Sequence, residues 1–404
     1  MDIPDDRSWA RPVFILLLVL AILKGLRMPS RWAITQYLFT YDHGFIRRGL
    51  WGELLHSVFG SWTYHYFFLA AVGLALLALL IGVVVRASRR LDGAEGTAAL
   101  LAIGASPAIS FVTHLAGYLD HLVYLGVFGV FALRRRPALQ ILVAAAVAMM
   151  APLVHEAAIL WIGPLLGLAL LRGRDEDRRQ GTARGRLSVA AAILLVFVAS
   201  TAVVSVFGGA SDALTNTIRD EATARFDVRP RQDAFGVLST ASDPAAEMRS
   251  RWASVDTLLD LSWSVLIFAP GTVFLGWLAV RAARGRSPDV LTSRAVAALI
   301  VVAILSPLAL HGVGWDLHRW NALSAFNAVL AALIVFATSS AARSSMLLRP
   351  SLLAVTLAVA IWGTAADLIL FDAYGANRPP FVPQIMFLYE SVTTGGWAIW
   401  IPDQ

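Results

Sequence analysis

The stretch YHYFFLAAVGLALLALLIGVVVRASRR, residues 64–90, decides the fold. Up to Val85 it holds no Asp, Glu, Lys or Arg, and then Arg86, Arg89 and Arg90 close it. An unbroken apolar run of roughly 20 residues, at about 1.5 Å of helical rise each, crosses a hydrocarbon core of about 30 Å. A membrane β-strand would instead show short segments of alternating polarity. Runs of this kind recur along the chain, which is 58% hydrophobic and only 15% charged. Soluble domains carry about 25% charged residues, and the mean hydropathy here is +0.68. The expected fold class is therefore all-α: a polytopic membrane protein.

Eleven transmembrane helices are expected, near 11–27, 64–86, 97–115, 119–133, 137–152, 155–171, 187–208, 258–280, 294–311, 321–341 and 350–371. Arginine gives their direction. Clusters follow the second span (Arg86, Arg89, Arg90), the fourth (Arg134, Arg135, Arg136) and the sixth (from Arg172 to Arg186). Others lie between the eighth and ninth (Arg281, Arg284, Arg286, Arg294) and between the tenth and eleventh (Arg343, Arg349). Cytoplasmic loops carry the excess of Lys and Arg, so these loops and the N-terminus are expected inside and the C-terminus outside. The net charge of +6 thus reports topology, and no nucleic-acid partner is expected. The first run has no small-residue cleavage site behind it and is expected to stay as a helix. The absence of cysteine excludes disulfides and Cys-based metal or redox sites.

The layout falls into an N-terminal membrane module, residues 1–256, C-terminal helices, 257–371, and an external tail, 372–404. The module carries two long external segments, 28–63 and 209–256, with helix-like patches around Ala213–Phe226 and Pro244–Leu258. Unusual polar residues collect on this external side. YDHGFIRRGL (41–50) carries Asp42, His43, Arg47 and Arg48, and GYLDHLVYL (117–125) carries Asp120 and His121. PLVHEAAIL (152–160) carries His155 and Glu156, and LHGVGWDLHRW (310–320) carries His311, Asp316, His318 and Arg319. All 8 histidines fall on that side or at the outer helix ends.

Each cluster has a purely structural account. Asp42 can cap an interfacial helix starting at Gly44, and Arg47 and Arg48 can snorkel to lipid headgroups. His155 and Glu156 can satisfy each other, Asp316 and Arg319 can form an i,i+3 ion pair, and Asp367 can serve as a hydrogen-bond partner inside the last span. Charge at membrane depth costs about 2.5–3.5 kcal/mol at a helix centre, so four sequence-distant clusters on one face point instead to a shared polar cavity. In such a cavity Asp42 suits a general base towards a hydroxyl, with Asp120 and Glu156 as further catalytic carboxylates. Arg47, Arg48 and Arg319 suit phosphate oxygens, because the guanidinium fork matches them and keeps its charge. His43, His121, His155 and His318, with Asp316, complete the expected substrate contacts.

An acidic residue in the first external loop, directly after the first span, resembles the GT-C superfamily of membrane glycosyltransferases. The likeness extends to Asp120 at the outer start of the fourth span and to the long external loop after the seventh, over roughly residues 1–256. GFIRRGL, with the HE and DLHRW clusters, is similar to bacterial membrane proteins of surface-polysaccharide synthesis, including polymerases of the EpsG and Wzy type. The resemblance implies a transferase or glycan polymerase of the bacterial inner (cytoplasmic) membrane, working at the periplasmic face. Its partners would be a polyprenyl-phosphate- or diphosphate-linked sugar donor, a glycan or lipid-linked acceptor, and membrane lipids. A transporter or flippase for a lipid-linked sugar is the alternative, though it calls for polar residues in both halves of the membrane. No motif specifies a cofactor; imidazoles beside carboxylates leave room for a divalent metal (Mg or Mn), without diagnostic spacing.

Overall fold

A computed structural model of the chain describes residues 9–172, 183–239, 252, 254–284, 290–312, 316–338 and 349–366. The described residues are all-helical, with no strand beyond a single bridge between Ala210 and Ser239. The helices are α1 (Ala10–Gly25), α2 (Arg31–Thr35), α3 (Gly49–Phe59), α4 (Tyr66–Ser88) and α5 (Gly93–Gly104). They continue with α6 (Pro107–His114), α7 (Asp120–Ala132), α8 (Pro137–Val154), α9 (Ala158–Leu171) and α10 (Ala183–Phe207). The last are α11 (Asp212–Arg225), α12 (Val255–Arg284), α13 (Val290–Leu305), α14 (Leu317–Thr338) and α15 (Pro350–Ala365).

Each apolar run forms helix, but among the described residues fewer than the expected eleven helices have the length of a full membrane span. Among the described residues six helices are long and apolar enough to span a membrane: α4, α8, α10, α12, α13 with the 3-10 turn behind it, and α14. A seventh arises if α5 and α6, bent by 42° at their junction, count as one span. Pro107 causes the break, since it starts a new helix whose first turn is capped by Ser106 Oγ, accepting from the Ala108 N–H. The apolar helices α7 and α9 have 13 and 14 residues. They rise about 20 Å, short of a hydrocarbon core of about 30 Å. Apolarity along a sequence measures the run; it does not measure breaks. The tail 372–404, Asp367 and most of the Pro244–Leu258 patch lie outside the described residues, whereas the Ala213–Phe226 patch is the helix α11.

Tertiary contacts sort the helix ends into two groups. At one end Arg281 (end of α12) pairs with Glu95 (start of α5) at 2.6 Å, and Arg11 (start of α1) donates to the Arg89 carbonyl behind α4. Gln140 at the start of α8 donates to the Ala169 carbonyl at the end of α9. The arginine-bearing turns therefore share this end. At the other end Lys24, near the end of α1, donates to the Ala366 carbonyl behind α15 at 2.6 Å, and Arg47 meets Gly208 behind α10. The polar clusters gather there. The centre of the bundle is α14, buried along nearly its whole length, where Asn327 Nδ2 donates to the Trp161 and Ala303 carbonyls at 2.8 and 2.6 Å.

Small residues set the closest crossings. A Cβ on Gly25 would collide with the Ser110 carbonyl of α6, which is backbone and cannot swing away. Gly25→Val is expected to destabilise the protein by roughly 1–3 kcal/mol through overpacking. Gly82→Ala, whose added Cβ meets nothing within 4 Å, is expected to be neutral or slightly stabilising. Thermal unfolding of the two variants in detergent checks the contrast.

Candidate functional site

The RRG of the first loop is built around one unusual backbone. Arg48 is the only non-glycine with positive φ (63°) among the described residues, a left-handed conformation costing roughly 1–2 kcal/mol. It precedes the first turn of α3, and Gly49 follows because any Cβ there would strike the Tyr41 ring. The structural account of Asp42 as the cap of a helix starting at Gly44 does not hold: 41–44 is a turn with Gly44 at φ 104°, and the helix begins five residues later, at Gly49.

The reversal at Arg48 aims its guanidinium into the bundle. Nη2 and Nε donate to the two carboxylate oxygens of Glu156 at 2.6 and 2.9 Å, and Nη1 donates to Gln36 Oε1 at 3.2 Å. Glu156 sits in the turn between α8 and α9, beside His155, whose Nδ1 lies 3.8 Å from the same carboxylate and accepts from the Ala157 N–H. The His155 ring stands edge-on to Trp161 at 4.7 Å, and Trp161 stacks on Trp320 at 6.4 Å. That aromatic pair leads to the second ion pair. Arg319 Nη2 donates to Asp120 Oδ1 at 2.8 Å, its Nε donates to Oδ2 at 3.1 Å, and its Nη1 reaches Asp316 Oδ2 at 3.3 Å. The guanidinium lies between the Tyr118 ring (4.9 Å) and the Trp320 ring (5.2 Å).

The two pairs differ in access. The Asp120 and Arg319 side chains are 2% and 4% exposed, whereas Glu156 is 22% exposed. Asp120 is sealed and Glu156 faces out. Burial pushes the Glu156 carboxyl up, but the Arg48 guanidinium outweighs it and holds the group well below the usual carboxylate range. For His155 burial disfavours the imidazolium and Arg48 adds to it, lowering its pKa to about 3, so the ring is neutral at physiological pH.

Above this buried tier lies an exposed one. Asp42 Oδ2 accepts from the Thr40 hydroxyl at 2.8 Å. His43 Nε2 meets Glu221 Oε2 of α11 at 2.7 Å, Glu221 pairs with Arg225, and Arg225 donates to the Tyr64 hydroxyl at 2.9 Å. Arg47 joins the tiers. Its backbone N–H donates to the Gly208 carbonyl at 2.7 Å and its Nη2 to the Ser239 carbonyl at 3.0 Å, pinning both ends of the described part of the second external segment. Its acceptors are carbonyls, so among the described residues no carboxylate neutralises it.

The structure therefore brings Arg48, His155 and Glu156 and, across the Trp161–Trp320 pair, Asp120, Asp316 and Arg319 to one floor at this end of the bundle. Asp42 and His43 stand on the exposed rim. His121 turns away: both ring nitrogens lie at backbone carbonyls, Tyr118 at 3.0 Å and Val112 at 2.9 Å, and the residue is fully buried. His318 is half-buried, and its Nδ1 has no partner among the described residues. Arg48 and Arg319, expected on phosphate, are already paired with carboxylates. No group of three or more His, Asp or Glu among the described residues stands close enough together to hold a metal ion. Sequence reasoning missed Gln36, Trp161 and Glu221. A glutamine in the largely apolar stretch WAITQYLF (32–39) was the available signal for the first; nothing marked the others. Comparison with protein-family models, curated proteins and solved structures finds no match to this chain.

Proposed function

We propose that this protein is a membrane glycosyltransferase or glycan polymerase that uses a polyprenyl-phosphate- or diphosphate-linked sugar at the end of the bundle where the polar tiers lie. One observation carries the reading: side chains from four distant segments build a charged floor and rim in a chain that is otherwise apolar at membrane depth. A structural salt bridge needs one partner; here Arg319 has two carboxylates and Arg48 a carboxylate and an amide. Such investment at one end fits a site for a charged, amphipathic substrate.

In this reading Asp42, on the accessible rim, takes the proton of the acceptor hydroxyl as its oxygen attacks the anomeric carbon. The bond from that carbon to the phosphate oxygen breaks, and its electron pair leaves with the polyprenyl phosphate. Arg47, which has no carboxylate partner among the described residues, meets the developing phosphate charge. Arg48–Glu156 is a positioning pair that holds the first loop against the turn between α8 and α9, and Arg319–Asp120 is one that ties α14 to α7. The proposed setting is the periplasmic face of a bacterial inner membrane, with the arginine-rich end in the cytoplasm.

Asp42→Asn is expected to lower glycan formation by about 10²–10⁴-fold with unchanged folding and expression, because it removes the base and little else. The measurement is surface-glycan content of a deletion strain complemented with wild type or variant. Full product from well-folded Asp42→Asn would remove Asp42 from the chemistry. A lipid-linked sugar that stays on the cytoplasmic leaflet when the protein is deleted would instead support a flippase.

A further inference from the structure

At the end of the bundle opposite the polar tiers, α5, α12 and α15 enclose a cavity of about 950 Å³. Its origin is geometric. Close to its end α15 touches α5, since a Cβ on Gly363 would strike the Ala105 carbonyl, and it is tied to α12 by the Trp362 indole N–H donating to the Leu266 carbonyl at 3.1 Å. Towards its start α15 leaves α12, and the gap between them is walled by Val265, Val273, Leu352, Val355 and Val359. From Val265 to Arg281 the wall rises about 24 Å along α12, more than one leaflet's share of a hydrocarbon core of about 30 Å. The wall is apolar except at its mouth.

The mouth is cationic. Arg281 and Arg349 line it with Glu95 and Ser351. Glu95 pairs with Arg281 at 2.6 Å, and the Arg281 guanidinium is steadied over the Trp277 ring at 5.4 Å. One carboxylate thus faces two guanidiniums, and the exposed Arg349 side chain has no acceptor among the described residues. A long apolar slot ending in net positive charge matches a molecule with hydrocarbon chains and an anionic head at leaflet depth. Basic pockets between membrane helices on the arginine-rich side recognise anionic lipid headgroups in this way.

We infer that this groove is a binding site for an anionic phospholipid of the arginine-side leaflet, its acyl chains along α12 and α15 and its phosphate on Arg349 and Arg281. The site is separate from the polar tiers and stands whether or not the protein transfers sugars.

The test is lipid retention by the full-length protein, purified in mild detergent and examined by native mass spectrometry and lipid extraction. Wild type is expected to keep anionic phospholipid enriched at least tenfold over its share of the source membrane. Arg349→Gln, an exposed change that leaves the Glu95–Arg281 pair intact, is expected to remove most of that enrichment. Val355→Trp, which fills the slot, is expected to lower retention of all lipid. Unchanged elution profile and helicity show that both variants fold. No enrichment, retention of zwitterionic lipid alone, retention of a polyprenyl phosphate instead, or enrichment untouched by both variants would each overturn the proposal. So would a thermal shift given equally by inorganic phosphate and by anionic phospholipid nanodiscs.

Discussion

Asp120→Ala is expected to destabilise the protein by about 3–5 kcal/mol, a large share of a stability that is typically about 5–15 kcal/mol. The reason lies in what the mutation leaves behind. Arg319 is buried against Asp120 through both carboxylate oxygens, and its remaining partner, Asp316, touches a single nitrogen at 3.3 Å. Without Asp120 the guanidinium keeps its charge, because arginine does not deprotonate, and it sits between two aromatic rings without the carboxylate that compensates it. The double variant Asp120→Leu with Arg319→Met removes both charges and fills similar volume, so it is expected to recover most of the loss. Thermal unfolding of wild type, single and double variants in one detergent measures the contrast. A double variant as unstable as the single would show that the pair's desolvation is not what the fold balances there.

This pair also marks where sequence reading stops. The charged residues themselves are conspicuous, because an apolar chain of 15% charged residues exposes every exception. Asp120, His155, Glu156 and Arg319 are therefore legible one by one, and so is the end of the bundle they share. Their partners are not. Arg48 and Glu156 are 108 residues apart, and Asp120 and Arg319 are 199 apart. Nothing local selects those pairings over the neighbours Asp42–Arg47 or His155–Glu156. Only the i,i+3 contact of Asp316 with Arg319 follows from spacing, and it turns out to be the weaker of the two contacts Arg319 makes. The helices show the same division. Their existence follows from apolar runs, while the bend at Pro107 and the shortness of α7 and α9 change how many can cross a bilayer. Arg47 is the subtler case. Composition marks it as a cation on an arginine-poor face, but its use in pinning the second external segment depends on carbonyls contributed by Gly208 and Ser239.

Acid should destabilise the polar floor, and His155 sets the pH window. Its pKa falls from an ordinary 6.5 to about 3 in the fold, so between these values the unfolded chain takes up a proton that the folded chain refuses. Stability then rises with pH, by about 1.4 kcal/mol per unit, and is lost on acidification through the same interval. Glu156 acts in the same direction at lower pH. Burial opposes its charge, but Arg48 holds its folded pKa below the ordinary value, so its contribution is present above about pH 4.3 and drains away below it. Between about pH 6.5 and 4.3 His155 by itself should therefore contribute a loss on the order of 3 kcal/mol. His155→Gln keeps an acceptor for the Ala157 N–H and cannot titrate, so the variant's stability should be flatter by that amount over the interval. Between about pH 4.3 and 3 both groups contribute, so the wild-type curve should keep falling away from the variant's, and the two should run parallel only below about pH 3. Unfolding measured in matched buffers from pH 4 to 8 gives both curves, and equal slopes for wild type and variant would place the neutral imidazole outside the energetics of the site.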